Sequence, residues 1–447
     1  MSKVYLRNDK KLISSWARYD WANSVYSLTI ATAIFPIYYM TATGAINNGL
    51  VHFMGRDYLN IALYSYALSV SFLIVALIAP LLSSIADFRG NKLSFMKFFC
   101  YLGSSSCIAL FWFTGENIHF GIFFFVLASI GFAGSIVYYN AFLKEIVDEK
   151  DQDRVSARGF SMGYIGSVIL LIVNLVMIIF YKQLGFADES MPTKISFVAV
   201  GIWWAGFAQI TFYALKRFKY IPPVSDDIPA EKKLSMNSLF GGYQELRKVW
   251  NQLRQYKSLK NYLVAFFFYN SAVQTVMYLA TIFAKDEIKL EQTRLIMIIL
   301  IIQLVAVAGA YLFSRISNRY GNIRSLNIAI IVWICVCIAV YQVTSEYPFY
   351  GIAFVVGMVM GGIQSMSRST YSKLVPPTKD TASFFSFYDV TEKLATVFGT
   401  AIYGLILEIT GNMRNSVLAL ILFFIVGIIF LYQVKKEKSL EANPNVI

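Results

Sequence analysis

Residues 60–92 read NIALYSYALSVSFLIVALIAPLLSSIADFRGNK. From Asn60 to Ala86 the stretch carries no charge. As a helix it would run about 40 Å, at ~1.5 Å per residue, and so exceed a hydrocarbon core of roughly 30 Å. It then breaks at once into DFRGNK, where charges flank a glycine suited to a left-handed helix cap. A lipid-length helix closed by a charged turn is the unit from which the rest of the chain is read.

Eleven more such runs follow the same plan. The full set covers about 16–41, 60–86, 93–114, 118–143, 157–181, 195–216, 259–284, 293–316, 324–344, 348–372, 382–409 and 413–434. They are rich in Phe, Ile, Leu and Val and lack the period-two alternation of barrel strands. Across 447 residues, 57% are hydrophobic and 15% charged. A soluble domain holds about half apolar and about a quarter charged, so this composition demands a membrane. The expected class is all-α, with twelve transmembrane helices in two six-helix bundles. The first basic residues precede a full-length span with no small-residue cleavage site, so that helix is expected to be retained.

The net charge of +13 is explained by where it falls. External loops take only Arg56, Lys182, Lys194, Lys285, Lys289, Arg294 and Arg414 of the 39 Lys and Arg, and Lys393 lies inside a span. The remainder fall on the other side. This asymmetry predicts both termini in the cytoplasm of a multi-pass membrane protein. The bilayer, not nucleic acid, is the partner the charge implies. Cys100, Cys107, Cys335 and Cys337 fall within spans and read as small apolar residues, and His52 and His119 lie near external ends. No cofactor or metal site is expected, and a monomer is.

The longest polar segment, 217–258, separates the runs six and six. It predicts a first bundle at 1–216, a linker at 217–258, a second bundle at 259–434 and a tail at 435–447. Three prolines open the linker. Leu239, Tyr243, Leu246, Trp250, Leu253 and Tyr256 then recur on one helical face, with Arg247, Lys248, Arg254 and Lys257 around the other. Such a helix suits the anionic leaflet, or simply tethers the halves. The halves are weakly alike. SSIADFRGNKL parallels SRISNRYGNIR, and NAFLKEIVDEKDQDRVSARGFSMGY (140–164) parallels RSTYSKLVPPTKDTASFFSFYDVTE (368–392).

ADFRGNK resembles the loop between the second and third helices of major facilitator superfamily transporters. YDWANSVYS, RVSARGFSMGYIGS, FFYNSAVQT, GGIQSMSRSTYSKLVP and FFSFYDVTEK resemble its vacuolar-effluxer-type branch, from about residue 15 to 432. The resemblance implies alternating access and export of amino acids or similar small metabolites. Phe88 and Asn91 stand at loop positions that are usually basic, Asn318 replaces the acid in the second copy, and Ser271-Ala272 stands where the branch has Asp-Gly.

Polar groups inside spans carry the candidate chemistry, because each costs about 2.5–3.5 kcal/mol at a helix centre on insertion scales. Asp20, Asn23, Ser24 and Ser27 form one stripe in the first span, with Asp20 placed about a turn inside its cytoplasmic end. Asp20 either faces the central cavity or pairs locally near Arg18. Counting from Thr381 puts Asp389 some 12 Å and Lys393 about 18 Å into the eleventh span. They are i, i+4 in the favourable acid-before-base order, with Glu392 on an adjacent face. Lys393 either binds an anionic substrate or exchanges partners as a coupling proton moves; a packing pair is the alternative. Asn140, Asn270, Gln274, Gln364 and Arg368 complete the cavity candidates. Gly159, Gly163, Ser167 and Gly357, Gly361, Ser365 read as packing seams. Asp87, Arg89, Gly90 and Lys92, with Glu145, Arg154 and Arg158, are expected to gate the cytoplasmic side.

The sequence holds no GxxxxGK[ST], HExxH or GxSxG. The expected function is a secondary transporter of a small solute, not an enzyme. An exporter of amphipathic or lipid-like compounds and a non-transporting sensor or scaffold are the alternatives.

Overall fold

The computed structural model describes residues 4–44, 50–219, 247–253, 255–290 and 292–434. Its elements run α1 (Lys10–Val25), α2 (Phe35–Gly44), β1 (Leu50–Phe53), β2 (Arg56–Leu59), α3 (Asn60–Arg89), α4 (Lys92–Ala109), α5 (Ile118–Ile146), α6 (Gln152–Ile179), α7 (Ser190–Lys216), α8 (Lys257–Asp286), α9 (Gln292–Tyr320), α10 (Asn322–Gln342), α11 (Glu346–Leu374), α12 (Thr381–Thr410) and α13 (Met413–Tyr432). Among the described residues, eleven helical segments are long and apolar enough to cross a bilayer, with Lys10–Gly44 counted as one. The more polar α8 stands beside them as the first long helix of the second half.

The opening stretch forms α3 as its composition dictates. Gly90 ends it in the left-handed conformation at φ 64°, and its N–H closes on Ala86 and Asp87 carbonyls. The first span begins earlier than its apolar run. The Asp9 carboxylate caps it, accepting from Lys11 N at 2.8 Å and Leu12 N at 3.2 Å. Asp20 therefore lies ten residues beyond the start of its helix. The span also changes gear at Tyr26–Ala33, a π-helical stretch in which Ile34 N bonds Thr29 O at 2.9 Å. Such widened turns recur at functional sites because they re-aim side chains.

The first six spans pack mainly α1 against α6 and α7, and α4 against α5 and α7. The last six pack α9 against α11, and α8 against α12 and α13. The halves meet where α12 lies on α3 and α5, and where α6 lies on α9 and α11. The α9–α11 seam needs its glycines: a Cβ on Gly361 would fall 2.0 Å from Ala306 O, and one on Gly309 2.0 Å from Met358 O.

At one face, which we call the linker face, lie the ends of α3, α5 and α11 and the starts of α6 and α12. Residues 247–253 dock there. Val249 and Leu253 are buried, the Trp250 ring sits 5.5 Å from Phe387, and Lys248 Nζ lies 3.7 Å from Asp380 Oδ2. Trp250 is half-exposed and Val249 takes its place on the buried face, because the segment packs on α12. Leu239, Tyr243, Leu246, Arg254 and the tail at 435–447 lie outside the described residues. At the opposite face β1 and β2 form a hairpin pairing His52 with Asp57, and Met54 N donates to His119 Nε2 at 3.3 Å.

Candidate functional site

A cavity of about 330 Å³ lies between the halves, within the range of small-molecule sites. Asp20, Asn23, Asn140, Asn270, Gln274, Gln364, Arg368, Glu392 and Lys393 all line it. Asp389 does not; it is buried behind Lys393. The lining continues away from the linker face through Thr32, Phe283, Leu295, Val340 and Val417.

At the linker end of the cavity Asp20 is joined to Arg368, not to Arg18. Arg368 Nη1 lies 3.1 Å from Asp20 Oδ2 across the two halves, and the Tyr139 hydroxyl donates to the same oxygen at 2.7 Å. The guanidinium is otherwise fully engaged. Its Nε donates to Ser156 Oγ at 3.0 Å, Nη2 to Ser156 O at 2.8 Å and Nη1 to Asn140 Oδ1 at 3.4 Å. Phe160 stacks on it at 4.1 Å and Trp16 at 5.1 Å. A buried arginine is tolerated when paired, forked and stacked in this way. α6 approaches closely enough only through Gly159, where a Cβ would fall 2.4 Å from Asp20 Oδ2 and 2.8 Å from Arg368 Nη2. One member of a seam read as packing thus frames the ion pair.

A second charged group stands on α12. Lys393 Nζ lies 3.2 Å from Glu392 Oε1 and 3.7 Å from Asp389 Oδ1, over the Phe72 ring of the other half at 5.2 Å. The i, i+4 pair exists, but Glu392 is the nearer partner. Gln364 also bridges the halves, accepting from the Tyr164 hydroxyl at 2.5 Å. Asn23 and Asn270 are buried in the lining, with Nδ2 of each lacking a hydrogen-bond partner. Gln274 completes the wall from α8.

The linker face is shut by two polar latches. In the first, Lys92 Nζ contacts Asp87 at 3.1 Å, Glu145, Thr381 Oγ1 at 2.6 Å and Lys379 O at 3.1 Å. Asp87 also accepts from Ser383 N and Ser383 Oγ, each at 2.7 Å, at the start of α12. Arg89 and Gly90 shape this turn from its helical end. Arg154 and Arg158 do not join it. Arg154 pairs with Asp151 at 3.0 Å, and exposed Arg158 donates to Ser14 Oγ at 3.0 Å. Glu145 points inward to Lys92 instead.

The second latch was not foreseen. Asp153 pairs with Lys373 at 2.7 Å and accepts from Ser317 Oγ at 2.7 Å and Asn322 Nδ2 at 2.8 Å. The repeat contains its signal: aligning 140–164 with 368–392 places Glu145 on Lys373, Asp153 on Thr381 and Asn140 on Arg368. The two latches are therefore repeat-related, with the acidic and basic ends exchanged.

Helices in two repeat-related sets around a central polar cavity define a major facilitator transporter. The fold is shared with the E. coli fucose:proton symporter FucP, whose outward conformation superposes at a TM-score of 0.69 and 14% identity over 95% of this chain and 98% of that one. The proton:xylose symporter XylE superposes at 0.66 with 12% identity, covering 96% of each. The chain belongs to the family described as "Vacuole effluxer Atg22 like", which it matches over residues 8–443. It is 31% identical to the MFS-type transporter YxiO of Bacillus subtilis over 431 residues, 96% of each chain. It is 22% identical to autophagy-related protein 22-1 of Aspergillus terreus, over 85% of this chain and 75% of that one.

Proposed function

We propose that this multi-pass MFS-type transporter exports an amino acid or a similar small metabolite across a bacterial plasma membrane by alternating access. The observation that carries the reading is a charged cavity between the halves, shut toward the linker face by Asp20–Arg368 and two latches. Residues 1–216 and 259–434 act as the moving bodies, joined by 217–258, with 435–447 as a tail. The linker face is cytoplasmic on the basic-residue asymmetry. Asp20, Asn23, Asn140, Asn270, Gln274, Gln364 and Arg368 form the polar part of the solute site. Asp389, Glu392 and Lys393 form the coupling group, since one lysine between two acids can trade partners as a proton comes and goes. The apolar end, with Ile298, Ile302, Val340 and Phe349, suits a solute with an apolar side chain.

The test is counterflow in proteoliposomes loaded with a panel of unlabelled amino acids and tracer outside. At least one solute should drive tracer accumulation, and Lys393→Met should abolish it while the protein still purifies folded. An absence of solute-dependent flux across the panel contradicts the reading.

A further inference from the structure

The two halves do not enclose the cavity in the same way. Among the described residues, the first half lines it from its first span, α3, α5 and α6, and neither α4 nor α7 contributes. The second half lines it from all of its helices, through Phe283 on α8, Ile298 on α9, Val340 on α10, Ala353 on α11, Tyr403 on α12 and Leu420 on α13. These six lie within about two turns of the helix ends opposite the linker face. The charged lining residues, Asp20, Arg368, Glu392 and Lys393, all lie nearer the linker face. The cavity thus runs on into an apolar chamber inside the second half alone. Arg414 stands over Phe283 at 5.5 Å and donates to the Val340 and Val343 carbonyls, tying α13 to α8 and α10 beside it.

The repeats explain the chamber. Carrying the alignment of 83–93 with 314–324 back along α3 and α9 sets Tyr64 on Leu295. Carrying that of 140–164 with 368–392 back along α5 and α11 sets Phe125 on Ala353. Phe197 and Leu420 each stand eighth in their helices, α7 and α13. In the first half these rings fill the bundle. Phe125 lies 4.8 Å from Tyr64 and 5.2 Å from Phe35, which lies 5.5 Å from Phe197. In the second half a methyl and two isobutyl groups stand in their place, and the space the rings would take opens into the cavity. Side chains around such a space forgo contacts that an apolar ligand restores. The Tyr403 hydroxyl in this wall is buried without a hydrogen-bond partner, which favours a ligand that also carries a hydroxyl or N–H.

We propose that the chamber is a binding pocket for one uncharged aromatic ring, carried entirely by the second half. The inference rests on the transporter reading above and names a ligand group that reading leaves open. The ring belongs either to the side chain of the solute or to a separate hydrophobic compound that enters through the cavity.

The experiment uses the purified full chain in lipid nanodiscs and a trifluoromethyl-diazirine derivative of benzyl alcohol as photoprobe, with labelled residues mapped by mass spectrometry. The probe also marks lipid-facing positions, so the readout is the labelling that excess benzyl alcohol removes. That labelling should fall within 336–340 and 417–420. Removing it with n-pentanol, which has no ring, should take about tenfold more competitor, the scale set by burying a ring. Ala353→Phe supplies the ring that the first half holds at the equivalent position. It should cut the competed labelling by about tenfold or more while the melting temperature holds or rises, as cavity filling does. Leu420→Phe makes the same test from α13 if Ala353→Phe does not fold.

Phenylalanine and tryptophan separate the two sources. Removal of the chamber labelling by an aromatic amino acid that also drives counterflow assigns the ring to the solute. Removal by benzyl alcohol with both amino acids inert assigns it to a separate compound. Competed labelling that falls only elsewhere, or that is unchanged in folded Ala353→Phe protein, overturns the pocket. So does a fall in melting temperature in both filling variants, since the space is then already packed. Loss of the pocket leaves a positive counterflow result standing, and absent counterflow with the chamber labelled refutes the transporter reading alone.

Discussion

Asp20→Asn isolates the contact that joins the halves at the floor of the cavity. The substitution keeps the shape of the side chain and an acceptor for Tyr139, but removes the charge opposite Arg368. The Arg368 side chain is 3% exposed and that of Asp20 10%, so solvent cannot replace the lost partner. Stripping one member from a buried pair costs about 3–5 kcal/mol. Part is recovered here, because Ser156, Asn140 and the stacked rings still hold the guanidinium. Even if only ~1.4 kcal/mol remained, the ratio of linker-closed to linker-open molecules would fall about tenfold, because the cost falls on the state that brings α1 and α11 together. Spin labels at Arg154→Cys and Arg319→Cys, both exposed and one in each half, read that ratio as a distance distribution. Exposed Cys335 is replaced by Ser to keep the background silent. The variant should gain a longer-distance population absent from the parent, and adding Arg368→Gln should change it by less than the sum of the single effects. An unchanged distribution in a folded Asp20→Asn protein would refute the assignment of this pair as an inter-half lock.

Two further outcomes follow from close contacts. Gly159→Ala places a methyl 2.4 Å from Asp20 Oδ2; it should lower stability by about 1–3 kcal/mol, the usual cost of overpacking. It should shift the same distance distribution as Asp20→Asn, which a remote packing defect would not. Arg414 Nη1 donates to Tyr341 O at 2.9 Å and Val343 O at 2.6 Å at the C-terminal end of α10, while its Nε pairs with Glu287 at 3.0 Å. Arg414→Gln should therefore lower the melting temperature, with a loss of roughly 1–3 kcal/mol, yet leave the linker-face distances unchanged.

The spans were legible because lipid imposes a length and polarity that the chain shows directly, as from Asn60 to Arg89. Most cavity residues were legible for a related reason: a polar group within an apolar run needs a destination, and Asn140, Asn270 and Arg368 share one. Their partners were not legible. Asp20 and Arg368 are 348 positions apart, and nothing local distinguishes that pairing from one with Arg18. The start of the first helix was not legible either, because it lies in a polar segment capped by Asp9, ahead of the apolar run. The Asp153–Lys373 latch was recoverable in principle: the aligned repeats put Lys373 opposite Glu145, a reversal of charge at a position that already looked like a gate. Arg154 and Arg158 were drawn into that gate by proximity in sequence, but on α6 they face outward.

Alternating access is tested most directly by tying the linker face shut. Asp153→Cys with Lys373→Cys replaces one latch, and a short bis-maleimide then bridges the two halves covalently where their side chains met at 2.7 Å. The cross-linked protein in proteoliposomes should lose solute counterflow, while the same double variant labelled with a monofunctional maleimide should keep it. Continued counterflow through the cross-linked protein would contradict the claim that these halves must part at this face to carry the solute.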